Sequence, residues 1–188
     1  MDTKEDIKVI CIIGKSSAGK DTFYKKIKDV FDYNFIVSHT SRDMRPNEKN
    51  GVDYFFTSKD EFEEMIAKDL FLEVNNFNGW YYGISKNSFT KDKINVVVIN
   101  PAGYKKIKEL FGDKNVIGIY MQTHTSIRIN RYIKRDGCFK FELVRRLFTD
   151  YIDFKNVDKL SNTYIIKGTS PFKINLAILK DIINKWIG

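Results

Sequence analysis

The sequence predicts an α/β protein with a parallel central sheet, and its first strand leads into a phosphate-binding loop. Apolar, β-branched runs alternate with amphipathic helical segments along the 188 residues, as is typical of parallel sheets covered by helices. Residues Gly14 to Lys20 read Gly-Lys-Ser-Ser-Ala-Gly-Lys directly after the first apolar run. This is the G-x-x-x-x-G-K pattern in the strand-to-helix context in which it binds nucleotide phosphates.

The predicted strands are short and continuously apolar, a pattern that favours strands buried on both faces. Cys11 lies inside the first of them, where we expect a small buried hydrophobic residue. The strands cover residues Ile7 to Ile13, Phe35 to Val37, Asn95 to Ile99 and Val116 to Met121, and Tyr164 to Ile166 is a candidate for a last strand.

The predicted helices have apolar residues at helical spacing, such as Phe23 and Ile27 in the first. Ser58 is followed three residues later by Glu61, which is the sequence pattern of a capping box. The turn Asp136-Gly137 joins the fourth and fifth helices. The six helices cover Thr22 to Phe31, Ser58 to Asp69, the stretch after Asn100-Pro101 through Leu110, Thr125 to Arg135, Phe141 to Phe154 and Ile174 to Ile187.

Composition indicates one globular domain over residues 1–188, with 43% hydrophobic and 30% charged residues. The formal net charge of +8 suits nucleic acid or small polyphosphates. Because lysine and arginine are scattered along the chain, we favour small polyanions over nucleic acid. Cys11 and Cys138 are too few for a disulfide framework or a zinc site. We find no signal sequence and no apolar stretch of membrane-spanning length, so we expect a soluble, cytoplasmic protein.

The loop residues predict a three-layer fold of the P-loop NTPase type that binds ATP. Gly14 and Gly19 permit the tight path that turns successive N–H groups toward an anion, and the following helix adds its positive dipole end. Lys20 would reach the β- and γ-phosphates as a point charge. An ordinary glycine-bearing turn is the alternative. The predicted ATP-binding residues are Gly14, Lys15, Ser16, Ser17, Ala18, Gly19, Lys20, Asp21 and Thr22.

Asp21 stands where this pattern usually carries Ser or Thr, whose hydroxyl binds Mg²⁺. A carboxylate is also a hard oxygen ligand, so Asp21 could bind Mg²⁺ directly or through water. The alternative is that Asp21 is simply a favourable acid in the first helical turn. Both interpretations remain open at this point.

A second group of motifs suggests a site for a phosphate monoester. Arg42 and Arg45 lie three residues apart, and Tyr54 follows a Gly-Val-Asp turn. Two guanidinium groups and a phenol hydroxyl are suited to clamp one phosphate. Tyr82 could donate to the same phosphate, and Glu73 could accept from the N–H groups of a base. The alternative is that the arginines are solvated and the aromatic residues belong to the core.

These motifs resemble those of the guanylate kinase family, whose acceptor region carries S-x-T-x-R-x-x-R, G-x-D-Y-x-F, F-x-E and Y-Y-G. All four occur here in that order between Ser38 and Gly83. The resemblance implies a core of residues 1–33, 94–123 and 147–188, an acceptor-binding subdomain at 34–93 and a helical lid at 124–146. It also implies that the acceptor is held by Ser38, Arg42, Arg45, Tyr54, Glu73, Tyr82 and Asn100.

Three positions depart from the family pattern. Ile84 follows Y-Y-G where the family usually has Ser or Thr, and Val98 and Asn100 replace the two acids of D-x-D-x-x-G. A neutral amide can still bond to a base, but it carries no charge to pair with a polarised purine edge. Guanine specificity therefore rests mainly on Glu73.

The segment from 125 to 154 is rich in arginine. Arg128, Arg131 and Arg135 fall near one helical face, and Arg146-Leu147 is similar to the family's pair that embraces the transferring phosphate. The resemblance gives catalytic roles to Lys20, to Arg146 and, ahead of it on the fourth helix, to Arg131 or Arg135, since positive charge there stabilises the transition state. The alternative for Arg128 and Arg131 is a solvent-facing basic helix.

The resemblance thus implies a nucleoside monophosphate kinase that uses ATP and Mg²⁺, with GMP or dGMP as the first choice of acceptor. The expected partners are small-molecule nucleotides, without nucleic acid or membrane. Two alternatives remain. The Gly-Lys-Asp-Thr form also resembles loops of some phage nucleotide kinases and phosphomevalonate kinases, which favours another phosphorylated acceptor. The second alternative is a non-catalytic guanylate kinase-like interaction module. Such modules tend to lose the loop lysine, which this chain keeps as Lys20.

Overall fold

The computed structural model describes residues 7–77, 79–136 and 141–188, so Cys138, Gly137 of the predicted turn and part of the predicted lid lie outside the described residues. Its main sheet contains β1 (Val9–Ile13), β2 (Asn34–Phe35), β7 (Asn95–Val98), β8 (Val116–Gln122) and β9 (Thr163–Lys167). These strands are all parallel and stand in the order β2-β7-β1-β8-β9. The prediction of an α/β fold with a parallel central sheet is confirmed.

A second, four-stranded sheet was not predicted from the sequence. It consists of β3 (His39–Thr40), β4 (Phe55–Phe56), β5 (Phe71–Phe77) and β6 (Trp80–Ser85), in the order β4-β3-β6-β5. Two of its strands have only two residues, and β5 is interrupted by polar residues, so neither pattern reads as a strand. The Asn78-Gly79 dipeptide before Trp80 is the one local signal, because it is typical of a two-residue hairpin.

The helices match the predicted ones to within a few residues. They are α1 (Lys20–Lys28), α2 (Lys59–Ala67), α3 (Pro101–Phe111), α4 (Thr125–Asp136), α5 (Phe141–Asp153) and α6 (Phe172–Ile187). The capping box of α2 is confirmed, since Glu61 N donates to Ser58 Oγ at 3.1 Å and Ser58 N donates to Glu61 Oε2 at 2.8 Å. Among the described residues, no helix combines the length and the apolar composition needed to cross a bilayer.

The core has two parts, one on each face of the main sheet. Tyr104 and Phe111 of α3 and Phe154 after α5 pack on one face, while α1 and α6 pack on the other with Ile27 and Leu179. Cys11 is fully buried in the first of these two parts, as expected, and burial raises the pKa of its thiol. The structure thus has three layers.

The carboxyl ends of the parallel strands place the functional loops at one edge of the main sheet. Residues 14–19 follow β1, Asn100 follows β7, Thr123 follows β8 and Gly168 follows β9. In open α/β sheets, ligands bind at this edge because the loops that leave the strands meet there. The second sheet lies between β2 and β7 in sequence, so the chain inserts it next to the same edge.

Candidate active site

The loop between β1 and α1 has the backbone path of an anion-binding turn. Ala18 N donates to Lys15 O at 3.1 Å, and both Ser17 and Gly19 have positive φ angles of 58° and 106°. A Cβ atom at Gly14 would lie 3.0 Å from Met121 O, so a side chain there would push β1 and β8 apart. The path therefore depends on glycine at both ends.

Lys20 is the first residue of α1, and its side chain folds back over the loop. Its Nζ donates to Lys15 O at 3.1 Å. Burial lowers the pKa of Lys20, although the carboxylates of Asp21 and Asp150 oppose that shift. The ammonium group is thus held beside the turn by one backbone acceptor, from which it can move to a bound phosphate.

A buried ion pair, which the sequence did not reveal, fixes the loop from the side of the helices. The Asp150 carboxylate accepts from Ser16 N at 3.0 and 3.1 Å and from Ser16 Oγ at 3.1 Å. Arg128 pairs with Asp150 and donates Nε–H to Ser16 O at 2.8 Å. Arg128 is 3% exposed. The alternative that Arg128 faces solvent is therefore wrong.

Arg131 and Thr123 hold the outer side of the same loop. Arg131 Nη1 donates to Ala18 O and Nη2 to Gly168 O, each at 2.8 Å, and Thr123 Oγ1 donates to Ala18 O at 2.9 Å. Because a Cβ at Gly168 would lie 2.4 Å from Ala18 O, the backbones touch there. Arg131 is therefore not part of a solvated face, and its contacts favour holding the loop.

The other two predicted catalytic arginines lie where α4 and α5 overhang the loop. Arg146 donates Nε–H to Glu142 Oε1 at 2.6 Å, and the Arg135 guanidinium lies 5.4 Å from the centre of the Tyr132 ring. Both side chains line the cavity that contains Lys20. The structure therefore brings two cations from different helices to the phosphate end of this cavity.

One cavity of about 260 Å³ joins the loop to the predicted acceptor residues. It lies between the edge of the main sheet and the second sheet. The lining side chains include residues predicted for both substrates: Gly14, Ser16, Ser17, Lys20, Asp21, Ser38, Arg42, Arg45, Tyr54, Glu73, Tyr82 and Asn100. A neighbouring cavity is lined by Gly19, Thr22 and Arg131. The loop and the acceptor motifs are thus contiguous, which spacing in the sequence could not show.

Glu48 organises the arginine pair and was missed in the sequence. Its carboxylate accepts from Arg42 Nη2 at 2.8 Å and from Arg45 N at 2.9 Å, and lies 3.5 Å from Arg45 Nη1. Burial opposes the charge on Arg42, but the hydrogen bond to Glu48 and the electrostatic attraction of Tyr82, Glu48 and Tyr54 together outweigh it, so the pKa of Arg42 is raised. Burial and the nearby Arg42 charge lower the pKa of Arg45.

The two tyrosines complete this end of the cavity. The rings of Tyr54 and Tyr82 meet edge to face with centroids 6.0 Å apart, and the Arg42 guanidinium lies 5.7 Å from the Tyr54 ring centre. Burial raises the pKa of the Tyr54 hydroxyl, so it stays protonated and able to donate. The cluster presents cationic and hydroxyl donors with one acid, which suits a dianionic monoester.

The far end of the cavity is shaped by Glu73 and Asn75. Glu73 is 7% exposed, and Asn75 Nδ2 donates to its Oε1. Burial raises the pKa of Glu73, while Asn75 and Lys106 oppose the shift. A Cβ at Gly103 would lie 2.8 Å from Glu73 Oε1, so glycine leaves room for this carboxylate. Asn75 was missed because a lone asparagine in a strand carries no signal.

The three positions that depart from the family pattern all line the cavity that joins the loop to the acceptor residues. Ile84 is 2% exposed, and Val98 lies at the end of β7. Asn100 is the N-cap of α3, where its Oδ1 accepts from Gly103 N at 2.8 Å. Its oxygen therefore serves the helix, and its amide N–H₂ is the group left to meet a ligand.

Asp21 lies exposed in the first turn of α1 and lines the main cavity beside Lys20. No group of three or more His, Cys, Asp or Glu side chains suited to a metal occurs among the described residues. A single carboxylate at a phosphate site still fits Mg²⁺, which keeps most of its waters and takes its remaining ligands from substrate phosphates.

Comparisons with known sequences point to one family. The guanylate kinase family model matches residues 6–167. The guanylate kinase of Mycoplasma genitalium is 31% identical over 183 residues, which cover 94% of this chain and 75% of that protein. The guanylate kinase of Campylobacter jejuni (strain RM1221) is 35% identical over 146 residues, which cover 74% of this chain and 71% of that protein.

Solved structures share the fold. The crystal structure of guanylate kinase from Anaplasma phagocytophilum gives a TM-score of 0.68 at 19% identity, covering 96% of this chain and 86% of that one. A gluconokinase from Sinorhizobium meliloti gives 0.52 at 15% identity, covering 96% of this chain and 91% of that one. At such identities the likeness is one of fold.

We predict that Asp150→Ala lowers the free energy of unfolding by about 3–5 kcal/mol, because it leaves the buried Arg128 unpaired. Urea denaturation measures the loss. The double variant Arg128→Met/Asp150→Leu should recover more than half of it, since no uncompensated charge is then buried. A double variant less stable than Asp150→Ala would show that the pair is not the cause.

Glu73→Gln should raise the free energy of unfolding at pH 7, because the amide avoids the cost of burying a charge. Since the pKa of Glu73 is raised on folding, that cost is present above the folded pKa and disappears as pH falls toward the unfolded value. The stabilisation of the variant should therefore shrink on acidification. Glu64→Gln, at an exposed position of α2, is the control, and a pH-independent difference would contradict the prediction.

Proposed function

This chain belongs to the guanylate kinase family of nucleoside monophosphate kinases, and we propose that it transfers the γ-phosphoryl group of ATP to GMP or dGMP. The products would be ADP and GDP or dGDP. The observation that carries the proposal is the shared cavity, in which the P-loop lysine and the Arg42, Arg45, Tyr54 and Tyr82 cluster face one ligand space.

The proposal needs no covalent nucleophile on the protein. An oxygen of the acceptor phosphate attacks the γ-phosphorus of ATP, the bond from that phosphorus to the β–γ bridging oxygen breaks, and ADP leaves. In such a reaction the protein acts by positioning and electrostatic stabilisation. Lys20 and the N-terminus of α1 would hold the β- and γ-phosphates. Arg135 and Arg146 would stabilise the charge on the transferring group.

We assign Arg131 to the loop as well as to the donor site. Its guanidinium spans Ala18 O and Gly168 O, so it keeps those carbonyls turned away from the anion. The adjoining cavity, lined by Gly19, Thr22, Arg131 and Phe172, would then take the part of ATP that extends beyond its phosphates.

The acceptor would lie between the second sheet and the loop. Arg42, Arg45, Tyr54 and Tyr82 would hold its phosphate, and Ser38, Glu73 and Asn100 would meet the nucleoside. We propose that residues 34–93 act as the acceptor-binding subdomain and residues 124–146 as the lid, against a core of residues 1–33, 94–123 and 147–188. Closure of the two over the core would exclude water, which protects ATP from hydrolysis.

Mg²⁺ fits the donor site through Asp21, whose carboxylate faces the phosphate end of the cavity. The ion, when bound with ATP, would neutralise charge on the phosphate oxygens. Asp21 would supply one hard oxygen ligand, or would accept a hydrogen bond from a water bound to the ion. Lys20 remains the protein's own positive charge at the leaving β-phosphate.

A kinase assay that measures ADP release from ATP with separate monophosphates tests the proposal. GMP and dGMP should give the highest kcat/KM, with IMP, AMP, CMP and UMP for comparison. Ile84 supplies no hydroxyl, and the oxygen of Asn100 caps α3. We therefore expect the ratio of kcat/KM for GMP to that for IMP to be smaller than in relatives that have a hydroxyl residue and an acid at these two positions. ATP binding without turnover of any monophosphate would favour an interaction module instead.

We predict that Lys20→Ala lowers kcat on the order of 10²–10³-fold, because the developing charge on the β- and γ-phosphates loses its cation. Steady-state kinetics with saturating ATP and GMP measure the change. Lys28→Ala, an exposed position on the last turn of the same helix, is the matched control and should keep wild-type rates. An unchanged kcat in Lys20→Ala would contradict the assignment of residues 14–20 as the loop that binds the ATP phosphates.

We predict that Arg45→Ala raises the KM for the monophosphate by about 10–100-fold, since one charge-assisted bond to the acceptor phosphate is lost. The KM for ATP should change less than threefold on the same scale of bond energies. Lys49→Ala, a nearby exposed position, controls for loss of positive charge. Equal increases in both KM values would argue against a phosphate clamp at Arg45.

A further inference from the structure

The outward side of α5 is apolar, which is unusual for a helix at a protein surface. Its exposed residues are Phe141, Val144, Phe148, Tyr151 and Ile152, with exposed fractions from 46% for Val144 to 82% for Phe141. We call these five side chains the α5 stripe. Isolated exposed hydrophobic residues are ordinary, but five on one helical face form a continuous patch.

The opposite side of α5 carries the buried residues of this helix. Leu143 and Asp150 are buried there, and Arg146 faces the main cavity. The bonds from Ser16 and Arg128 to Asp150 fix the rotation of the helix. The α5 stripe therefore cannot turn inward without breaking the buried ion pair.

The spacing of the α5 stripe suits a second helix. Phe141, Val144, Phe148 and Tyr151 follow one another at intervals of three, four and three residues, which are the a and d positions of a heptad repeat. Such a seam packs against another helix whose apolar residues have the same spacing. The α5 helix of a second copy of this chain has that spacing.

The exposed area of the α5 stripe approaches what one side of a dimer interface needs. With aromatic side chains of about 150–250 Å² each, the exposed fractions amount to roughly 500–600 Å² of the α5 stripe per chain. A stable interface buries about 800 Å² per partner, of which the polar rim contributes part. The largest apolar patch on a typical monomer is about 300–600 Å², so the α5 stripe is at the upper end of that range.

We propose that two copies of this chain form a two-fold symmetric dimer in which the α5 stripes pack antiparallel, with Phe148 at the axis. Phe148 lies near the middle of α5 (Phe141–Asp153), so the two Phe148 rings would meet. In that register Val144 of one copy lies level with Ile152 of the other. Apolar side chains then meet at the axis and one turn to either side of it.

The cations beside the seam favour the antiparallel arrangement over a parallel one. In the register centred on Phe148, Arg145, which pairs with Glu142 of its own helix, lies level with Tyr151 of the other copy. This cation would thus lie near an aromatic ring, a favourable pairing. A parallel pair would instead place Arg145 beside Arg145, which is repulsive.

Sedimentation velocity over a range of micromolar concentrations, at about 0.15 M salt, tests the proposal. The sedimentation coefficient of the wild type should correspond to a particle of twice the 22.0 kDa mass of one chain. Phe148→Asp should sediment as a monomer with an unchanged Tm, because the side chain is exposed. Ile174→Asp, at a position of α6 that is 52% exposed, is the matched control and should remain dimeric.

A cross-linking experiment gives an independent measurement that does not rely on a disruptive substitution. In a Cys138→Ser background, Phe148→Cys should form a disulfide-linked dimer under mild oxidation, since residues at the axis come within bonding reach. Met44→Cys, at a position 53% exposed in the chain before β4, should remain monomeric. Equal cross-linking of the two variants would contradict the proposed seam.

Three results would overturn the proposal. The first is a wild type that sediments as a monomer at every concentration. The second is a Phe148→Asp variant that stays dimeric, which would place the interface elsewhere. The third is a monomer that binds vesicles of phosphatidylcholine and phosphatidylserine, which would assign the α5 stripe to a membrane surface. None of these results depends on which monophosphate the enzyme accepts.

Discussion

The structure depends on the buried pair of Arg128 and Asp150. Taking two charges out of water costs several kcal/mol per ion, and their attraction offsets this only when further hydrogen bonds satisfy both groups. Here the backbone and hydroxyl of Ser16 supply those bonds. The phosphate loop, α4 and α5 are therefore held as one unit, and the same bonds turn Arg146 toward the cavity and the α5 stripe toward solvent.

At the acceptor end of the site, two like charges lie close together. Arg42 and Arg45 repel each other, and Glu48 holds both near a point where a phosphate would bring further negative charge. A cluster that is already ordered loses little entropy when its ligand binds. The preformed arrangement therefore favours binding through phosphate, and leaves base selection to the far end of the cavity.

At that far end, the local structure explains why the departures from the family pattern matter. Asn100 has to cap α3, so its oxygen is taken by Gly103 N. Ile84 is buried and supplies no hydrogen bond. The polar groups that remain are the Glu73–Asn75 pair and the amide N–H₂ of Asn100, and the charge of Glu73 is costly because the group is buried. Base selection therefore rests on few groups in this chain.

The sequence by itself determined the α/β class, the six helices, the phosphate loop and the acceptor motifs, because periodicity, caps and ordered motifs are local properties of a chain. Only the tertiary structure decided which distant residues come into contact. The Arg128–Asp150 pair joins residues 22 positions apart to a loop more than a hundred residues away. Glu48, Asn75 and the second sheet were missed since pairings between distant or very short segments leave no periodic trace. Which face of α5 stays exposed follows from Asp150, whose role depends on where the fold places Ser16.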